Sequence, residues 1–179
     1  LEFEFSNRIV DLGKEPNYTL DRSIGDPKLR DALIADQEVT TFKIYLIRVK
    51  KDPNDTSKES SLFYFRKIPG TDAIVADMIK VLEKDRNKGV SHALFRAAFQ
   101  KLPDVRRIVF YLDETNKEIF DKNLTGGTRE DLIRAYKTTP AYKSYSKLGF
   151  TEIDHISLVP VSAPHASMKV FPHVILRKP

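Results

Sequence analysis

The sequence predicts an α/β fold in which a mixed sheet of about six to seven strands is flanked by helices. Three observations carry this expectation. Residues 41–82 hold three strand-like runs separated only by turns, a strand–turn–helix–strand succession spans residues 73–113, and two more strand-like runs close the chain. The first pattern is that of an antiparallel meander and the second that of a parallel βαβ crossover, so one sheet must contain both pairings.

Taken in order, Asp26-Pro27 opens a helix. The carboxylate can cap free N–H groups, proline fits the first turn, and Leu29, Ala32 and Leu33 then share a face to about Gln37. "TFKIYLIRV" (41–49) is rich in β-branched and aromatic residues and reads as a strand. The polar loop "KDPNDTSKES" leads to a second strand, "SLFYFRKI", and Pro69-Gly70-Thr71-Asp72 turns the chain into a third, "AIVADMIKVL" (73–82). From Val90, residues Leu94, Ala97 and Ala98 share one helical face that Phe95, Phe99 and Leu102 widen, until Leu102-Pro103 stops it. "VRRIVFYLD" is continuously apolar at its centre, as a strand covered on both faces requires.

Residues 117–138 read as a helical insertion, with a Gly126-Gly127 break and capping-box spacing between Thr128 and Asp131. Thr139-Pro140 starts a further helix that Gly149 ends, and strands near Phe150–Val159 and Val170–Arg177 complete the chain. Neither a repeat nor a linker divides it, so 1–179 reads as a single domain.

A chain of 179 residues can bury roughly 70% of its unfolded surface without staples. Hydrophobic residues make up 41% and charged residues 31%, which excludes collagen-like and disordered classes. The absence of cysteine excludes disulfide scaffolds, thiolate metal sites and cysteine nucleophiles. No apolar run approaches a membrane span and "LEFEFSNR" has no signal-peptide pattern, so the expectation is a cytoplasmic protein without a membrane partner. The net charge of +5 is interleaved rather than blocked, which points to a small anion rather than to nucleic acid.

The anion has an obvious place. Arg86-Asn87-Lys88-Gly89-Val90-Ser91 lies between the third strand and its helix. N–H groups of a first helical turn lack partners, the helix dipole adds positive charge, Gly89 permits close main-chain approach, and Arg86 and Lys88 add formal charge. The spacing is neither that of a P-loop nor that of a dinucleotide fingerprint.

This turn resembles the Arg/Gln-x-x-Gly-x-Gly/Ala signature of the GCN5-related N-acetyltransferase (GNAT) family, with Ser91 in the last position. Val81 stands five residues before Arg86, as that family's strand-4 valine does, and "YSKLGF" (145–150) is similar to its Tyr-x-x-x-Gly-Phe segment. The resemblance implies a GNAT-like fold whose sheet splays between strands 4 and 5 to admit acetyl-CoA or another acyl-CoA. Main-chain groups from Arg86, Asn87, Lys88, Gly89, Val90 and Ser91 would hold the pyrophosphate, those of Ile79 and Val81 the pantetheine arm and thioester, and Asn116 the cofactor arm. It further implies acetyl transfer to a primary amine by direct attack in a ternary complex, and allows a homodimer through the final strands. A non-catalytic acyl-CoA-binding or regulatory module of the same fold, and an acyltransferase fed by an acyl carrier protein, stay open beside it.

Such chemistry needs a proton donor for the leaving thiolate and help in deprotonating the amine. Tyr145 occupies the position of the family's leaving-group acid, with Tyr142 one turn earlier as a competitor. Alternation along strand 4 puts Val75, Asp77, Ile79 and Val81 on one face, which nominates Asp77 as base, whereas a bulge of the kind common in that family would change the parity. The family's glutamate position falls on Val75, and Tyr111 or a water chain are the other candidates. Glu83 and Asp113 read as solvated strand ends. His92, His155, His165 and His173 lack metal-site spacing and read as ordinary surface or loop histidines, so no metal is expected. The insertion is expected to shape acceptor choice.

Overall fold

The structure is a computed structural model that describes residues 1–11, 23–37, 39–161 and 169–179. His165 lies outside the described residues. Among the described residues seven strands form one sheet: β1 (Phe3–Asp11), β2 (Thr41–Val49), β3 (Leu62–Lys67), β4 (Ala73–Lys80), β5 (Arg107–Tyr111), β6 (Glu152–Val161) and β7 (Lys169–Arg177). Their order is β1-β2-β3-β4-β5-β7-β6, with β4–β5 parallel and the other pairs antiparallel. The meander, the crossover and the closing strand pair expected from the sequence are all present.

Helix α1 (Pro27–Gln37) covers one face. Asp26 caps it as expected, accepting from the amides of Lys28 (3.0 Å) and Leu29 (3.3 Å), while its second oxygen takes a hydrogen bond from Arg107 of β5. That guanidinium, more than the caps, holds the Asp26 carboxyl below its ordinary range. Leu29 and Leu33 pack there on Ala73, Val75, Val109 and Ile175. The opposite face carries α2 (Val90–Lys101), α3 (Glu114–Asn123), α4 (Arg129–Tyr136) and α5 (Pro140–Lys147). Leu94, Phe95 and Ala98 of α2 meet Phe63, Phe65, Ile74, Ile108 and Phe110 of the sheet.

Between β3 and β4 the register slips. Tyr64 faces Met78 but Phe65 faces Ala76, so Asp77 is an extra residue on β4. A bulge of this kind bends its strand and reverses the alternation beyond it. Val75 accordingly packs with the α1 cluster while Ala76, Ile79 and Val81 pack with the α2 cluster. The expectation that Val75, Asp77, Ile79 and Val81 share one face is therefore wrong, because strict alternation does not survive the inserted residue.

The segment read as an insertion is integral to the core. Thr128 and Asp131 form the capping box expected of them, and Asp131 is held below its ordinary carboxyl range first by the Thr128 hydroxyl. Its helix sends Leu132, Ala135 and Tyr136 into the same cluster as α2. Leu132→Ala should therefore cost about 2–5 kcal/mol, as for any buried leucine, and a urea titration of the two proteins measures it; a loss below about 1 kcal/mol would mean that α4 is a peripheral appendage.

Candidate functional site

The site begins where β4 and β5 separate. Their ladder consists of Ala73↔Arg107, Ile74↔Ile108 and Val75↔Val109. Beyond it β4 runs on to Lys80 and β5 to Tyr111 without pairing. Strand β3 still pairs with β4 through Lys80, so the unpaired backbone edge of Ala76 to Lys80 is the one facing β5. Such an edge offers N–H and C=O groups to an extended ligand.

From this edge the chain enters a short 3-10 helix (Glu83–Asp85) and then the basic turn. Ser61 fixes the approach: it is fully buried, its hydroxyl donates to Asp85 Oδ2 (2.6 Å) and accepts from the Leu82 amide (2.9 Å). Glu83, read from sequence as a solvated strand end, accepts through its carbonyl from the Arg86 amide at 3.2 Å. Asn87 then takes the left-handed conformation at φ 62°, which asparagine tolerates better than most residues, and Gly89 takes it at φ 71° as N-cap of α2. A Cβ at Gly89 would meet no atom within 4 Å, so glycine serves the backbone angle there and the space above it is open.

None of the amides from Asn87 to Ser91 makes a well-formed hydrogen bond to another described residue. Val90 is buried and anchors the helix; Arg86, Asn87, Lys88 and Gly89 are exposed, and Ser91 is half-buried. The surrounding cations divide into two sets. Lys80 pairs with Glu59 (3.3 Å) and Lys84 with Asp55 (3.1 Å), whereas among the described residues Arg86 and Lys88 have no carboxylate partner. Ser57 first, and then Lys84, hold the Asp55 carboxyl down at about 2, so that pair persists at neutral pH. Open amides, free space and two uncommitted cations fit a diphosphate.

Tyr145 stands on the α2 side of the gap. It is 5% exposed, with its ring 4.8 Å from Phe95 and 5.0 Å from Phe110. Burial, with the Asp113 carboxylate adding to it, pushes its phenol well above the usual range, so it stays protonated. Tyr142 is half-buried and packs edge-on against Tyr136 at 5.7 Å.

Asn116 does not sit as a free cofactor contact. Its Oδ1 accepts from the Ala141 amide (2.9 Å) and its Nδ2 donates to Asp113 Oδ1 (3.0 Å), which ties the start of α3 to the start of α5. Asp113, read from sequence as a solvated strand end, is the N-cap of α3 and takes the Asn116 amide at 2.8 Å. Asp77 is engaged as well. Arg66 donates to both of its oxygens (2.9 and 3.3 Å) and also to Asp36 of α1 at 2.6 Å. Burial lowers the guanidinium pKa, but Asp77 and then Asp36 outweigh it and leave it raised. Both carboxylate oxygens of Asp77 are thereby engaged by Arg66.

The histidines divide. His92 is half-buried beside Arg96, whose Nη2 lies 3.2 Å from its Nε2; burial first and the Arg96 charge second lower its pKa. His155 and His173 are not surface residues, being 8% and 1% exposed. His173 stacks on Tyr111 with ring centroids 4.5 Å apart. The apolar run "VFPHVILRKP" around His173 was the one available sign that this histidine is interior. No sequence signal singled out Ser61. Among the described residues no group of histidines and carboxylates could hold a metal ion, and no helix is long and apolar enough to cross a membrane.

Strand order, the single parallel pair, the gap at its end and the glycine-pivoted turn beside it agree with the architecture that the resemblance implied. The topology is thus a GNAT-like one, a mixed sheet splayed at its one parallel pair among the described residues. No protein-family model matches the chain, and no curated protein matches it. Among solved structures it is similar to a GNAT family acetyltransferase from Elizabethkingia anophelis with acetyl-CoA bound, at 14% identity over 97% of each chain and a TM-score of 0.42. It is also similar to the IAA acetyltransferase from Bacillus cereus ATCC 14579, at 13% identity over 96% of this chain and 99% of that one, with a TM-score of 0.41.

Removing the Ser61 hydroxyl leaves the Leu82 amide and Asp85 without their partner. Ser61→Ala should lower unfolding free energy by about 1–3 kcal/mol and speed hydrogen exchange of the amides of 82–91 selectively. Exchange accelerated equally throughout the sheet would show that Ser61 does not set the turn.

Proposed function

We propose that this chain is an acyl-CoA N-acyltransferase that moves an acetyl group to a primary amine by direct attack in a ternary complex. The observation that carries the reading is the open amide turn beside an unpaired strand edge. The turn suits a diphosphate, and the edge from Ala76 to Lys80 suits an extended amide-bearing arm, two features of one acyl-CoA. In this reading Arg86, Lys88 and the amides through Ser91 bind phosphate, while the backbone of Ile79 and Val81 orients the arm.

Tyr145 is the proton donor to the departing sulfur. Its buried phenol is neutral across the physiological range and loses no charge stabilisation by waiting there. The neutral amine's nitrogen forms a bond to the acyl carbon as the carbon–sulfur bond breaks; the phenol proton goes to sulfur, nitrogen gives up one proton to water, and the phenolate takes one back from water before the next turnover. Asn116 acts by fixing the helix starts on either side of Tyr145 rather than through its side-chain oxygen. Asp77 acts by holding the bulge. The chain works as one domain, and its acceptor is an amine presented from the side away from the turn.

Isothermal titration with acetyl-CoA tests the binding half: saturable binding is expected, and none at millimolar concentration would end the reading. Binding without turnover over a broad amine panel would instead favour a regulatory module, and turnover only from an acylated carrier protein would favour that donor. Tyr145→Phe should lower kcat by about 10²–10⁴ with acetyl-CoA affinity unchanged. Because the Tyr145 pKa is raised, the wild-type rate should not fall through phenol ionisation near pH ~10, where an ordinary tyrosine would titrate; an alkaline limb at that value, absent in the variant, would contradict the assignment.

A further inference from the structure

Strands β2 and β3 leave their ladder early. Its last pair is Ile44↔Arg66, although β2 begins at Thr41 and β3 runs to Lys67. One further step in register would set Lys43 opposite Lys67, and like charges facing each other in an antiparallel pair repel. Each lysine pairs only on its other side, Lys43 with Ile9 of β1 and Lys67 with Ile74 of β4. The sheet is therefore open between the start of β2 and the turn at 68–71. Strand β4 runs from this turn toward the amide turn, so the opening lies at the opposite end of the sheet from the candidate site.

A cavity of about 440 Å³ occupies the opening, within the usual range for a small-molecule site. Its walls are largely apolar. Phe42 and Ile68 line it, 8% and 1% exposed, Ala32 and Ala35 of α1 contribute only methyl groups, and Val39 leaves an apolar side chain 44% exposed there. A Cβ at Gly70, also on the lining, would meet no atom within 4 Å, so the space beside the turn is free.

The polar groups of the lining fall into two sets. Asp36 accepts from Arg66 at 2.6 Å, while the Thr71 hydroxyl donates to the Ile68 carbonyl (2.9 Å) and accepts from the Ala73 amide (3.1 Å). Lys43 and Lys67 also line the cavity, are exposed, and meet no carboxylate among the described residues; the Lys43 ammonium lies over the Tyr45 ring, 5.5 Å from its centroid. We infer that this cavity binds a small carboxylate with an apolar body, of the arylalkanoate class. The apolar part lies against Phe42, Ile68 and the two alanines and covers Val39, and the carboxylate sits between the ammonium groups of Lys43 and Lys67. Such an anion relieves the repulsion between the two cations, and Asp36 does not oppose it because Arg66 neutralises that carboxylate. A neutral ligand would leave the cations unpaired, and an inorganic anion would leave the apolar wall in water. The site shares no residue with the amide turn or the strand gap and stands independently of the acyltransferase reading.

Amide NMR spectra of the full chain titrated with 4-phenylbutyrate test the inference. Saturable shifts are expected at the amides of 39–43 and of the turn at 68–71, with 4-phenylbutanol binding roughly tenfold more weakly and acetate without effect at the same concentration. Lys43→Gln and Lys67→Gln should each weaken 4-phenylbutyrate about two- to fivefold. Ala35→Phe fills the cavity from an exposed helix position and should abolish the shifts. No saturable shift at millimolar concentration, equal affinity for acid and alcohol, equal affinity for acetate, or an affinity that neither lysine variant changes would overturn the inference. Should Ala35→Phe fail to fold, as judged by thermal melting, the acid–alcohol comparison and the lysine variants decide. Failure of the acyltransferase reading looks different, since a chain that does not bind acetyl-CoA would still give these shifts.

Discussion

Strand β4 carries one residue more than β3 between Ala76 and Met78, and the side chain of that residue, Asp77, is gripped by Arg66 of the neighbouring strand. Arg66 is anchored in turn by Asp36 of α1, so the bulge is fastened to the helix that covers this face. A bulge left alone could slide along its strand, but a two-oxygen guanidinium contact fixes which residue is extra. Much else follows from that position. The strand bends away from β5 just after Val75, its far half turns Ile79 and Val81 toward the α2 layer, and a gap with an unpaired backbone edge opens between the strands.

The gap is useful only because the chain beyond it is held in place. Ser61 clamps Leu82 and Asp85 from the adjoining strand connection, and Gly89 and Asn87 accept the left-handed angles that aim the turn at the start of α2. Acidic residues of the 50–61 loop neutralise Lys80 and Lys84 and leave Arg86 and Lys88 available. Positive potential is thereby concentrated at the amide turn rather than spread along the strand end, which favours an anion seated on the turn.

Several features were legible from residue order alone. The Asp26 cap, the Thr128–Asp131 box and the glycine turn each involve partners a few residues apart, so spacing determines their geometry. The open amides of the basic turn could likewise be expected, because first-turn amides lack partners in any helix. Asp77, Asn116 and His173 could not be placed in this way. Asp77 depends on Arg66, 11 residues earlier, and Asn116 on Ala141, 25 residues later. His173 depends on Tyr111, brought beside it because β7 inserts between β5 and β6. How the helical segment expected at 117–138 packs was likewise not legible, since burial of Leu132 and Tyr136 reflects what packs above them rather than their own periodicity.

Sequence by itself determined the elements, their order, and the local chemistry of the turn, because propensity, capping and glycine angles act over a few residues. Tertiary structure decided the parity of β4, the partners of each candidate acid and base, and the stacking of His173 on Tyr111. These depend on one additional residue in a ladder and on which strand lies beside which, and contacts across a sheet leave no trace in the spacing of the residues that make them.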